Sequence, residues 1–146
     1  MKLIHCADIH LDSPMQTHMT ARQASVRNTE MLQSFVRLTE FAQERAVRAV
    51  LIAGDLFDGA RVRARTVDAL PAAIRRTPEV DYLYLPGNHD EAANAFCDCA
   101  LPGNLKLFGK KWTTYRYDGI AISGVQIGAD AALYETLPHT DGAVNL

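Results

Sequence analysis

The sequence predicts an α/β fold: a parallel βαβαβ half followed by short β-hairpin strands. Three observations carry this. Three short apolar runs, Lys2 to Ala7, Ala49 to Ala53 and Asp81 to Leu85, each stop at a polar stretch rich in Asp, His or Asn. Two segments of helical periodicity lie between them. Beyond residue 104 the pattern changes to short strand-like runs separated by turn residues.

Taken in order, Lys2 to Ala7 reads as the first strand, and Asp8 to Thr20 as a long loop of the kind that often carries function. From about Ser25 to Arg48 the spacing predicts a helix. Met31, Phe35, Leu38 and Ala42 form its apolar row, with Leu32 and Val36 beside it and Ser25 or Asn28 as its cap. Ala49-Val50-Leu51-Ile52-Ala53 is apolar throughout, as expected of a strand covered on both faces. Gly54 turns the chain and Asp55 follows at the carboxyl end of the strand, where open α/β sheets place their ligands.

Arg65 to Arg76 reads as a second helix, with Val67, Leu70 and Ile74 on one side and a kink or early stop at Pro71. Asp81 to Leu85 is the third strand, and Pro86-Gly87 presents Asn88-His89-Asp90. Ala92 to Ala100 reads as a short helix. Leu105 to Phe108, Trp112 to Tyr117 and Ile120 to Val125 are short strands, the last two joined by an Asp118-Gly119 hairpin turn. Ala129 to Leu137 reads as a helix, and Gly142 to Leu146 as the entry to another strand. The expectation is therefore that residues 1–146 are the amino-terminal portion of one longer domain.

Composition narrows the function classes. A net charge of −2 gives no bulk electrostatic case for nucleic acid or an anionic membrane, so a nuclease reading must rest on a local patch. Arg61, Arg63 and Arg65 are the candidate patch, as phosphate contacts or as a solvated loop and helix start. Cys6, Cys97 and Cys99 are too few and too odd in number for a disulfide framework; Cys6 reads as a small core residue and the other two as free thiols. No signal peptide and no apolar run of membrane-spanning length is visible, so a cytoplasmic location and no membrane partner are expected.

If the three strands are parallel, Asp8, His10, Asp55, Asn88, His89 and Asp90 gather at one sheet edge. Carboxylates, imidazoles and an amide oxygen around one crevice are the ligand set of a divalent-metal site. In an extended chain Asp8 and His10, two residues apart, would point to the same side. Asp58 reads as a ligand, a helix cap or a loop-stabilising acceptor, with the cap or loop role preferred. The mixed oxygen and imidazole set suits Mn²⁺, Fe or Zn²⁺ better than Ca²⁺.

With Asp8-x-His10, Gly54-Asp55-x-x-Asp58 and Gly87-Asn88-His89-Asp90 in this order, the sequence resembles the calcineurin-like metallophosphoesterases. Ala7-Asp8-Ile9-His10-Leu11-Asp12-Ser13-Pro14, taken with Leu51 to Asp58, resembles most their DNA-repair exonuclease branch of Mre11, SbcD and YhaO-type proteins. The resemblance implies the amino-terminal part of an α/β/β/α sandwich and a site for two metal ions, usually manganese in this branch. Asp8 and His10 would bind one ion, Asp55 would bridge, and Asn88 would bind the other. His89 would face the phosphate as general acid or charge stabiliser, with Asp90 orienting it. The family's later histidine ligands are not matched, since His139 sits in a Pro138-His139-Thr140-Asp141-Gly142 turn. The second metal site is thus expected to be incomplete, and this chain alone to have little or no activity.

The leading functional expectation is a metal-dependent DNA exonuclease. The alternatives are a phosphoesterase acting on small phosphodiesters or phosphoproteins, and a non-catalytic assembly module using the Met31 to Val47 helix as its partner surface. A homodimer and an ATPase partner subunit are implied by the resemblance alone.

Overall fold

A computed structural model describes residues 1–15, 18–58, 62–90, 101–126 and 128–146. Four strands form one parallel sheet in the order β1 (Leu3–Cys6), β2 (Ala49–Ala53), β3 (Asp81–Leu85) and β4 (Leu105–Leu107). Helix α1 (Ala21–Glu44) connects β1 to β2, and α2 (Ala64–Arg75) connects β2 to β3. A smaller sheet contains β5 (Thr113–Tyr117), β6 (Ile120–Gly124) and β7 (Val144–Asn145), with β5 and β6 antiparallel and β7 parallel to β6.

The two-residue alternation of the strands sorts the core into two layers. Val50, Ile52, Tyr82, Tyr84 and Leu105 pack with Phe35 and Ala42 of α1 and with Leu70 and Ile74 of α2. The other face, Ala49 and Leu83, packs with Phe108, Ile122 and Tyr115 toward the small sheet. The parallel sheet is therefore covered on both sides, which is why its central strands are apolar without interruption. Helices, parallel sheet and small sheet make three successive layers, as in the amino-terminal part of the expected sandwich.

Several elements differ from expectation. Helix α1 starts earlier, capped by Thr20 in a capping box with Gln23, so Asn28 lies inside the helix and is buried. Its buried row is Asn28, Leu32, Phe35, Thr39 and Ala42, and Met31 and Leu38 are only half-buried. Helix α2 continues past Pro71 to Arg75; the proline neither stops it nor leaves the core, since its ring is buried. The strand at Leu105 joins the parallel sheet beside β3 instead of the hairpin segment. The segment near residue 131 is a five-residue 3₁₀ turn, Ala131–Glu135, and its side chains are not buried, which leaves nothing to sustain a longer helix. The Ala92 to Ala100 helix, Arg61, Cys97 and Cys99 lie outside the described residues. Among the described residues no helix is long and apolar enough to cross a membrane.

Candidate metal centre

The carboxyl ends of the strands are level, with Cys6 opposite Ile52 and Ile52 opposite Tyr84, so the three loops that follow leave from one edge. Backbone hydrogen bonds then lace the loops together. Asp8 N–H donates to Gly54 O at 3.3 Å, His10 N–H to Asp55 O at 2.9 Å and Leu11 N–H to Leu56 O at 2.8 Å. Gly54 N–H continues the lacing to Leu85 O at 2.8 Å.

Within this frame Asp8, His10 and Asp55 adopt positive φ angles of 53°, 50° and 47°. The strand has ended by then, so Asp8 and His10 do not converge through strand alternation as expected. They converge through left-handed turns, each costing on the order of 1 kcal/mol for a residue with a Cβ. The laced backbone offsets that cost, and strain held this way clusters at functional sites.

The result is a donor group: one ligand atom each from Asp8, His10 and Asp55, all within 4.8 Å of one another. Among the described residues His10 Nδ1 is buried without a hydrogen-bond partner, an expensive state for an imidazole nitrogen unless a ligand supplies the missing interaction. Gly87 adds a second sign of close fit, because a Cβ there would overlap the Asp55 carboxylate and backbone nitrogen. Two carboxylates and an imidazole, with one ring nitrogen unpaired, fit a first-row divalent cation.

His89 stands at the rim. Its backbone N–H donates to Asp55 Oδ1 at 3.3 Å, its ring lies 6.0 Å from that of His10, and its side chain is 52% exposed, open to an incoming substrate. Asn88 occupies the same exposed turn. Asp90 does not touch the imidazole. Its buried carboxylate accepts from Phe57 N–H and Gly87 N–H, each at 2.7 Å, and so ties two of the three loops together. The carboxylate facing His89 belongs to Asp58, with Oδ1 3.8 Å from Nδ1. Asp58 also accepts the Ser13 hydroxyl at 2.8 Å, which is the loop role; the α2 cap position is Arg63.

Two participants escaped sequence reasoning. Ser13 carried no signal beyond its place in a long loop. Tyr84 reads as plain strand core, yet its hydroxyl is buried below the site without a well-formed hydrogen bond among the described residues. Burial first, then the nearby Asp90 and Asp55 carboxylates, raises its pKa far above that of a free tyrosine.

Arg63 is engaged: its N–H donates to Asp12 Oδ2 at 2.9 Å and its guanidinium Nε lies 3.7 Å from Asp12 Oδ1. Arg63 and Arg65 line a polar pocket of about 220 Å³ with Asp12, Asn28 and Thr66. His139 pairs with Asp141 at 3.3 Å on an exposed loop, and Cys6 is half-buried, its thiol pushed up to about 11 by burial. A larger groove between β1 and α1, lined by Cys6, Ile9, Met15, Met19 and Met31, is apolar and unsuited to phosphate.

A fold and site of this kind define a metal-dependent phosphoesterase class, and comparison with known proteins agrees. Residues 1–141 match the family described as calcineurin-like phosphoesterase, and the chain belongs to that family. It is 33% identical over 95 residues to the DNA double-strand break repair protein Mre11 of Methanopyrus kandleri, covering 62% of this chain and 19% of that protein. It is 28% identical over 112 residues to the uncharacterized metallophosphoesterase YhaO of Bacillus subtilis, covering 74% of this chain and 28% of that protein. A solved structure, the protein of unknown function AQ665 from Aquifex aeolicus, aligns with a TM-score of 0.41 at 10% identity, over 83% of this chain and 57% of that one. The chain thus spans less than a third of the length of either curated relative. Divalent metals belong to this family's chemistry, and Asp8, His10 and Asp55 form the matching donor group.

Proposed function

We propose that the protein hydrolyses phosphodiesters with divalent metal ions, manganese foremost, and that its substrate is DNA. The observation that carries the reading is the convergence of Asp8, His10 and Asp55 donors within 4.8 Å, beside an exposed His89. Asp8 and His10 would hold one ion, Asp55 would bridge, and Asn88 would contribute its amide oxygen to the second. The ligand set of the second ion is incomplete in residues 1–146, which make up the amino-terminal portion of the domain in this reading. A bound divalent cation supplies Lewis-acid charge to a phosphoryl oxygen and favours ionised water as the nucleophile.

The chain's own residues do the rest. The Asp55 carboxylate is held against Gly87, where no side chain could fit, and also accepts the His89 backbone N–H. This ties the metal-holding loop to the acid-bearing loop. The His89 imidazole is open to solvent and reaches over the site, placed to protonate the leaving oxygen or to stabilise charge on the phosphate. Asp58, opposite Nδ1, stabilises the charged imidazole; 3.8 Å is long for a hydrogen bond and within ion-pair range. DNA as the substrate class is supported by the likeness to a protein named for double-strand break repair, and by Arg63 and Arg65 beside the loops.

The test is degradation of linear DNA by the full-length protein with Mn²⁺. Asp55→Asn, which weakens the metal centre, and His89→Ala, which removes a positioned acid, should each lower the rate by roughly 100-fold or more. Variants that degrade DNA at the parent rate would remove the assignment. Faster turnover of a nucleotide monoester than of DNA would keep the site and discard the substrate.

A further inference from the structure

We infer that Ser13 is a positioning residue for His89, acting through Asp58. The Ser13 hydroxyl donates to Asp58 Oδ2 at 2.8 Å, while the other oxygen of the same carboxylate, Oδ1, lies 3.8 Å from His89 Nδ1. One hydrogen bond therefore occupies one oxygen and leaves the other for the imidazole. Without it the carboxylate would be poorly held. Asp58 is 29% exposed, its attraction to a charged imidazole is screened by water, and 3.8 Å is too long to fix its side-chain rotamer.

Ser13 is itself held on both sides. Its backbone N–H donates to His10 O at 3.2 Å, and its carbonyl accepts Nδ2 of Asn28 at 3.1 Å. Asn28 is unusual. It lies inside α1, is only 3% exposed, and its Oδ1 finds no partner among the described residues. A buried amide in a helix interior is costly, and an apolar residue there would pack at no such cost. The one described bond that compensates is the bond to Ser13. The series Asn28, Ser13, Asp58, His89 thus runs from the helix layer to the rim of the site without using any of the metal donors Asp8, His10 and Asp55. A plain loop staple would also explain the Ser13 to Asp58 bond, but it would leave the placement of His89's partner indifferent to Ser13.

The inference rests on the phosphodiesterase reading and is tested on the full-length protein with Mn²⁺ and bis(p-nitrophenyl) phosphate. Ser13→Ala should lower kcat about tenfold, roughly what one hydrogen bond to a charged group is worth. KM should not change, and Ser13→Thr, which keeps the hydroxyl, should restore most of kcat. In an Asp58→Ala background Ser13→Ala should have no further effect, because the two act as a unit. A parent-like kcat in Ser13→Ala overturns the inference, as does an undiminished loss in the Asp58→Ala background. Crystal structures of the parent and Ser13→Ala give a readout independent of turnover. The Asp58 carboxylate should leave its place opposite His89 Nδ1; if it stays, Ser13 does not position it. A parent protein that turns over no phosphodiester would sink the proposed function, and the crystal comparison would still decide the role of Ser13.

Discussion

Asp90 shows how one side chain can set the geometry of two loops. Asp90 is 5% exposed, and its carboxylate accepts two backbone N–H groups at 2.7 Å. The sequence places Asp90 next to His89 and so suggests that it orients the imidazole. The structure instead has Asp90 hold the turn that carries His89 through the Gly87 N–H, while the carboxylate facing the imidazole is that of Asp58. That division could not be read from the sequence, because two acids 32 positions apart are equally able to reach one histidine until the loops are laced. Removing Asp90 strands two N–H donors in a buried place. Asp90→Ala should therefore cost about 3 kcal/mol of unfolding free energy, measured by urea denaturation. A loss below about 1 kcal/mol would mean that the loops hold themselves.

Elements were legible where periodicity was strong and local. β2 and β3 fall on the expected residues, as does the Asp118-Gly119 hairpin turn, with Gly119 at φ 71°. The α1 start was misplaced because Thr20 and Gln23 form the cap across a stretch without apolar periodicity. The sequence marks β4 as a strand but not its partner, because a three-residue strand carries no record of the sheet it joins. The joint between the two sheets was invisible for the same reason. It centres on Asp81 at the start of β3, which accepts Lys106 Nζ and the Tyr117 hydroxyl, each at 2.9 Å, with Arg48 at 3.4 Å.

Burial, followed by the Asp81 hydrogen bond and charge, raises the Tyr117 pKa above its ordinary 10.0. The folded state then holds that proton more tightly than the unfolded state. Its contribution is complete below pH 10 and is lost as pH rises beyond it, so stability falls with alkali. Tyr117→Phe should cost about 1 kcal/mol at neutral pH and make the decline of Tm above pH 10 shallower. An unchanged alkaline slope would assign the decline to the other raised tyrosines, Tyr82, Tyr84 and Tyr115.

At the scale of the whole molecule, three parallel strands ending level at one edge were enough to gather the motif residues, and that much was present in the sequence. The ordered motifs also carried the family, which the match over residues 1–141 shows. What the order of motifs could not convey is how the gathering is done: left-handed Asp8, His10 and Asp55, a glycine at position 87 because Asp55 fills its side-chain space, and loops laced by their own backbones. In the proposed reading Asp8, His10 and Asp55 are a metal centre of which this chain holds only part of the ligands. Elemental analysis after dialysis of the 146-residue chain against excess Mn²⁺ tests it most directly. No more than one manganese ion per chain is expected, and any ion that is bound should be lost in Asp55→Asn. Two firmly held ions, or one that survives Asp55→Asn, would contradict it.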